Sequence, residues 1–178
     1  TEGLLETSDL LEIEKLGEGP VDYGKLIPVK YLLLKKAHEV FHQNESRDQK
    51  KGFLNFIQLN GSWINDYSLF MALKEHFRQT PWYEWEKPLK MRDHSVLQHY
   101  HSILSKEIEF QKFIQYLFFR QWFAVKDYAH KQSVRIIGDI PLFVAYDSVD
   151  VWVNPELFLL DEALTPLVVG GVAPDYFS

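Results

Sequence analysis

The sequence predicts an α/β fold that is mainly helical and ends on a piece of parallel sheet. Three observations point there. A near-continuous apolar run, Val134-Arg135-Ile136-Ile137, passes into Gly138-Asp139-Ile140-Pro141. Such a run is typical of a parallel strand covered on both faces. A long helical pattern from about Ser105 to His130 feeds directly into it, and a helix followed by a buried strand is half of a β/α unit. Finally, the run has no companion. A parallel strand needs parallel neighbours, each linked by a crossover of a dozen or more residues, and no second strand of that type is found in the sequence. Either the sheet is not parallel or its other strands belong to further polypeptide; the abrupt ends of the sequence favour the second.

The elements follow in order. The stretch to Tyr23 is acidic, with a short helix expected around Ser8–Glu14 and then a loop through Gly17, Gly19 and Pro20. A helix is expected from about Pro28, where proline suits a first turn, to Phe41, with Leu32, Leu33, Leu34, Ala37, Val40 and Phe41 as its apolar stripe. Gln43 to Gly52 reads as a polar linker. Phe53 to Leu59 fits strand or helix; the spacing of Phe53, Phe56 and Ile57 favours a short helix that Gly61 and Ser62 break. Another helix is expected over Asn65–Arg78, ended by Thr80-Pro81 because a residue before proline avoids helical geometry. Asp93 is placed to cap a helix over His94–Leu104. The helix from Ser105 carries one stripe of Phe110, Phe113, Ile114, Leu117, Ala124, Val125 and Tyr128 and a second of Phe119, Trp122 and Phe123, so it needs cover on both faces. Phe158–Leu160 and Leu167–Val169 read as a short hairpin.

Composition bounds the function classes. A chain of 178 residues, 46% hydrophobic and 25% charged, is globular and long enough for a sizeable core. Aromatics at 15% favour a large core or a stacking surface. A net charge of −6 argues against a nucleic-acid partner, since phosphate binding needs clustered cations. There is no cysteine, hence no disulfide and no thiolate zinc site. No stretch of about 18 apolar residues is present, so no membrane span is expected. Thr1 opens no signal peptide and reads as a cut end. The expected location is cytoplasmic.

Carboxylates and aromatics gather after the predicted strand, a pairing that suits a polyhydroxylated ligand. Carboxylates accept hydrogen bonds from sugar hydroxyls, and aromatic faces cover the C–H faces of sugar rings. Asp139 stands where the strand ends; its other reading is a residue that ties down a loop through backbone N–H groups. Asp147, Ser148 and Asp150 can bind hydroxyls, orient one another or cap a turn. Ser148 has no histidine beside it, which argues against a serine nucleophile. Trp152 with Asn154-Pro155 is a stacking platform or core, as are Trp82 and Trp85. Pro174-Asp175-Tyr176-Phe177 joins a carboxylate to two aromatics, with Gly170 and Gly171 as a hinge before it. His94, His99 and His101 cluster, but residues two apart point about 200° from each other on a helix, so a polar helix face is expected. No metal and no cofactor are expected.

These residues resemble a known family. Ile136-Ile137-Gly138-Asp139-Ile140-Pro141-Leu142-Phe143-Val144-Ala145, then Asp147-Ser148 and Val151-Trp152, look like the third barrel strand and following loop of the 4-α-glucanotransferases. Asn154-Pro155-Glu156-Leu157-Phe158, Leu160-Asp161-Glu162 and Pro174-Asp175-Tyr176-Phe177-Ser178 continue the match in order. Upstream, Val21-Asp22-Tyr23, Trp63-Ile64, Asp66-Tyr67, Leu69 to Glu75, Gln115-Tyr116, Phe118-Phe119 and Gln121-Trp122 are also similar, so the resemblance covers nearly the whole chain.

The resemblance implies a (β/α)8 TIM barrel with a mainly helical insertion between its second and third strands. Residues 1–104 would be the insertion; residues 105–178 would be barrel helix, third strand and the loop with its hairpin. It implies transfer of α-1,4-glucan segments from a glucan or maltooligosaccharide donor to glucose or another glucan acceptor, by a retaining mechanism with two carboxyl groups about 5–5.5 Å apart. It places the nucleophile and the acid/base after Ser178, so no catalytic residue is expected within this chain and the segment alone should be inactive. Asp139, Asp147, Ser148, Asp175, Tyr176 and Phe177 would be substrate-side residues, the last three on a loop covering the donor. The remaining barrel polypeptide would be the partner. Two positions depart from the family pattern: Ala173 stands where proline is usual, and Leu164 where the hairpin turn usually carries glycine, which leaves the turn type open. A non-catalytic α-glucan-binding module and a purely structural helical scaffold are the competing readings.

Overall fold

In the computed structural model the described residues are 3–16, 19–43 and 47–171. They are mainly helical: α1 (Leu11–Glu14, after a 3-10 turn over Thr7–Leu10), α2 (Tyr23–Gln43), α3 (Arg47–Leu59), α4 (Gly61–His76), α5 (Lys87–Lys90), α6 (His94–Ile103), α7 (Ser105–Lys131) and α8 (Val149–Val153).

Helix α4 is the centre. Its buried residues Ile64, Ser68, Leu69, Phe70, Ala72, Leu73 and Lys74 occupy more than one face, so it must be covered on several sides. Helix α7 packs along it, with α6 and α8 against other faces. One apolar cluster joins Leu69, Phe70 and Leu73 to Trp82, Trp85, Leu89, Leu104, Ile108, Val151 and Trp152. A second joins Ala37, Phe41, Phe53, Phe113 and Tyr116 where α2, α3 and α7 meet. There Gly52 allows a close approach: a Cβ on it would lie 2.7 Å from the Tyr116 hydroxyl oxygen.

Several boundaries differ from the sequence reading. Helix α2 starts at Tyr23, not Pro28, because the Asp22 carboxylate accepts the Lys25 amide at 3.2 Å and caps the end. Pro28 lies inside the helix, where its missing N–H removes only one bond near the N-terminus. The expected linker at 43–52 is partly helical, since α3 already begins at Arg47. Gly61 opens α4 instead of breaking a helix, because the Asn60 carbonyl accepts from the Trp63 and Ile64 amides at 3.1 and 3.0 Å. Helix α6 agrees with the reading: the Asp93 carboxylate accepts the Ser95 and Val96 amides at 3.0 and 3.3 Å.

The largest difference concerns the predicted strand. Residues 134–140 form no strand, and no strand ladder exists among the described residues beyond a single antiparallel bridge, Leu160 to Pro166. The run lies exposed, Ile137 at 93% and Ile140 at 83%. A strand is held by hydrogen bonds to its neighbours, and the described residues offer it none. Of the hairpin expected over 158–169 there remain that bridge and two backbone bonds of 2.9 Å beside it, from the Asp161 amide to the Thr165 carbonyl and from the Leu167 amide to the Leu159 carbonyl. Helix α7 divides in the same way. Its first half is buried at Ile108, Phe110, Gln111, Phe113 and Tyr116, while Phe118, Phe123, Val125 and Tyr128 further along are exposed.

Candidate functional site

The candidate residues lie on the path from the end of α7 to α8 and on to the turn at Asp161. The chain leaves α7 through Ser133, whose φ of 60° turns the backbone. Asp139 then stands exposed on the uncovered run, its Oδ1 accepting the Ile140 amide at 2.8 Å. One carboxylate oxygen is engaged with the local backbone; Oδ2 remains available to a ligand.

Asp147 has different surroundings. Its Oδ2 accepts from Lys74 Nζ at 2.6 Å, and its Oδ1 from the Trp82 amide at 3.2 Å. Lys74 is buried on α4 and its other bonds go to the Gln79 and Thr80 carbonyls at 2.9 and 3.1 Å. All three ammonium donors are therefore matched by acceptors, which is what lets a charged group sit in the interior. Arg78 and Gln79, with φ of 53° and 66°, shape the turn that presents those carbonyls.

Neighbouring contacts fix the same loop. Trp82 Nε1 donates to the Tyr146 carbonyl at 2.7 Å, and the Tyr83 and Tyr146 rings stack with centroids 4.4 Å apart. The Tyr146 hydroxyl donates to the Leu164 carbonyl; burial holds this phenol above its ordinary pKa, so it stays a donor. Ser148 Oγ accepts the Val151 amide at 3.4 Å and caps α8. Asp147 and Ser148 thus stand together as the anchor of α8, while Asp139 bonds within its own segment.

The tryptophans belong to the core. Trp152 is fully buried; its Nε1 donates to the Leu89 carbonyl at 3.3 Å and its ring carries the Arg92 guanidinium at 4.4 Å. Trp82 and Trp85 are buried in the same cluster, so none of the three is a stacking platform. Beside α8, a cleft of about 440 Å³ is lined by Trp63, Asp66, Tyr67, Asp150 and Asn154.

At the far end of the loop, Asp161 Oδ1 accepts the Ala163 and Thr165 amides at 2.9 and 2.8 Å. Leu164 adopts φ 64°, the left-handed region that leucine disfavours. Asp175, Tyr176 and Phe177 lie outside the described residues, as does Ala173.

Among the described residues, His94, His99 and His101 do not converge with other ligand-type side chains. The convergence that does exist, among the described residues, is His38 and His42 of α2 with Glu109 of α7. The four-residue spacing of the two histidines was a readable signal; the partnership with Glu109 was not, since it depends on how α2 packs on α7.

Comparison with known proteins gives one consistent result. The family model for 4-alpha-glucanotransferase matches residues 1–178. A 4-alpha-glucanotransferase of Thermus thermophilus is 45% identical over 94% of this chain and 34% of its own length. One from Clostridium butyricum is 43% identical over 89% of this chain and 32% of its own length. A chloroplastic/amyloplastic 4-alpha-glucanotransferase of Solanum tuberosum is 35% identical over 99% of this chain and 31% of its own length. Among solved structures, the amylomaltase from Streptococcus agalactiae in complex with acarbose superposes with a TM-score of 0.89 at 38% identity, over 99% of this chain and 36% of that one. The chain therefore spans about a third of the length of the relatives it matches.

Proposed function

The chain belongs to the 4-alpha-glucanotransferase family, matched along its whole sequence, and on that premise we propose that it is the substrate-side third of an enzyme transferring α-1,4-glucan segments between glucans. The observation that carries this reading is that the chain superposes from end to end on a solved amylomaltase determined with acarbose. The donor is an α-1,4-glucan or maltooligosaccharide, and the acceptor is glucose or another glucan. Transfer is retaining: one carboxylate attacks the anomeric carbon while a carboxylic acid protonates the leaving oxygen, and both groups come from polypeptide following Ser178. Such a pair sits about 5–5.5 Å apart. The remaining barrel polypeptide covers the exposed run 134–144 and the apolar second half of α7. Cytoplasm is the compartment we assign to it; no helix among the described residues is long and apolar enough to cross a membrane.

Within this chain the roles divide. Asp139 accepts a substrate hydroxyl or a catalytic group with its free oxygen. Asp175, Tyr176 and Phe177 cover the donor glucan. Asp147 and Ser148, with their acceptors taken by Lys74, Trp82 and Val151, hold the loop in place and act on substrate only through it. The test is maltotriose disproportionation by the full-length polypeptide carrying Asp139→Ala. Turnover should fall by about a hundredfold or more, the scale of losing a group that stabilises the transition state, with the unfolding temperature unchanged. Near-normal turnover would remove Asp139 from the site.

A further inference from the structure

The groove between α2 and α7 holds a set of side chains that glucan transfer leaves unused. His38 and His42 are one helical turn apart and share a face of α2. Their Nε2 atoms lie 2.8 Å apart. Glu109 of α7 brings Oε1 to 3.6 Å from His42 Nε2, and one ligand atom from each residue lies within 4.8 Å of the others. Two nitrogens bound to one tetrahedral ion at about 2.0–2.1 Å sit roughly 3.3 Å apart, so the imidazole nitrogens, 2.8 Å apart without the ion, open by about half an ångström on binding it.

We propose that His38, His42 and Glu109 form a binding site for a divalent transition-metal ion of the zinc class, clamping α2 to α7. The donor set selects this class. Two imidazole nitrogens and one carboxylate suit zinc, nickel or copper, whereas magnesium and calcium demand oxygen ligands. The three side chains line a groove of about 620 Å³, wide enough for water to complete the shell. The His38 ring is already oriented by Phe110 and Phe113, with centroids 5.4 and 5.1 Å away. Glu75, on the wall of the same groove, is held by Lys35, whose Nζ donates to its Oε1 at 2.9 Å. Without metal, one imidazole N–H donates to the other ring, which accounts for the short contact; the ion takes the place of that shared proton.

The test uses the full-length polypeptide, stripped with a chelator and titrated with Co2+ and then Zn2+. Visible Co2+ absorption of a four-coordinate N/O site should saturate at one ion per chain, and Zn2+ should displace it. Zn2+ should also raise the unfolding temperature, because an ion that binds only the folded state stabilises it by mass action. His42→Ala, at an exposed position, should weaken Zn2+ binding at least tenfold, and Glu109→Gln by about tenfold. His99→Ala, on the exposed face of α6, should leave it unchanged. No saturable uptake, or equal affinity in wild type and His42→Ala, would overturn the site. Neither result bears on glucan transfer, which maltotriose turnover reports separately.

Discussion

His38 shows how one residue ties packing to pH. Its ring is wedged against Phe110 and Phe113, and burial followed by the neighbouring His42 lowers its pKa to about 4. In the unfolded chain the same imidazole titrates near 6.5. Between those values the unfolded state binds a proton that the folded state refuses, so stability rises with pH across this window. The contribution is fully present above about 6.5 and is lost as pH falls toward 4. With a chelator present, the unfolding temperature of the wild-type protein should drop more steeply from pH 6.5 to 4 than that of His38→Gln; parallel curves would show that His38 is not held neutral by its surroundings. At this scale the sequence was a partial guide. Asp93 as a cap could be read from local pattern, whereas Trp82, Trp85 and Trp152 were open between core and stacking platform until their burial placed them in the core. Asp147 could not, because its partner Lys74 lies 73 positions away and no local spacing announces the pair.

At the scale of elements, that same pair links α4 to α8. Lys74 closes the end of α4 on the Gln79 and Thr80 carbonyls and reaches Asp147 just ahead of the α8 cap. The Lys74 side chain is 9% exposed and that of Asp147 33%. Breaking a fully buried pair costs about 3–5 kcal/mol, and partial exposure screens that, so Lys74→Met should destabilise by about 2 kcal/mol. A double-mutant cycle with Asp147→Ala checks it: the two substitutions together should cost clearly less than their sum, and strict additivity would mean the contact carries no coupling. Helices α4, α6 and α7 were legible to within a few residues, α6 from its Asp93 cap and α4 and α7 from their apolar spacing. The start of α2 was missed because Pro28 signals a first turn more loudly than Asp22 signals a cap. Helix α3 was cut short because its first turns are polar, and their apolar spacing begins only at Phe53.

Over the whole molecule the apolar surface is unevenly covered. The clusters around α4 and α7 are closed, yet Ile137, Ile140, Leu142 and Val169 are 93%, 83%, 91% and 86% exposed. Exposed apolar side chains in such number are what the further polypeptide proposed above would cover. The sequence pattern predicts a strand here and the described chain forms none, a conflict that resolves if the run pairs with strands outside the chain, since register and hydrogen bonds come from neighbours and not from the run itself. The most direct measurement is amide hydrogen exchange across Val134–Ile140 in the full-length polypeptide. Exchange as slow as in the central helix α4 is the expected result, because both edges of the strand would be paired and both faces covered. Exchange as fast as in an open loop would contradict the account.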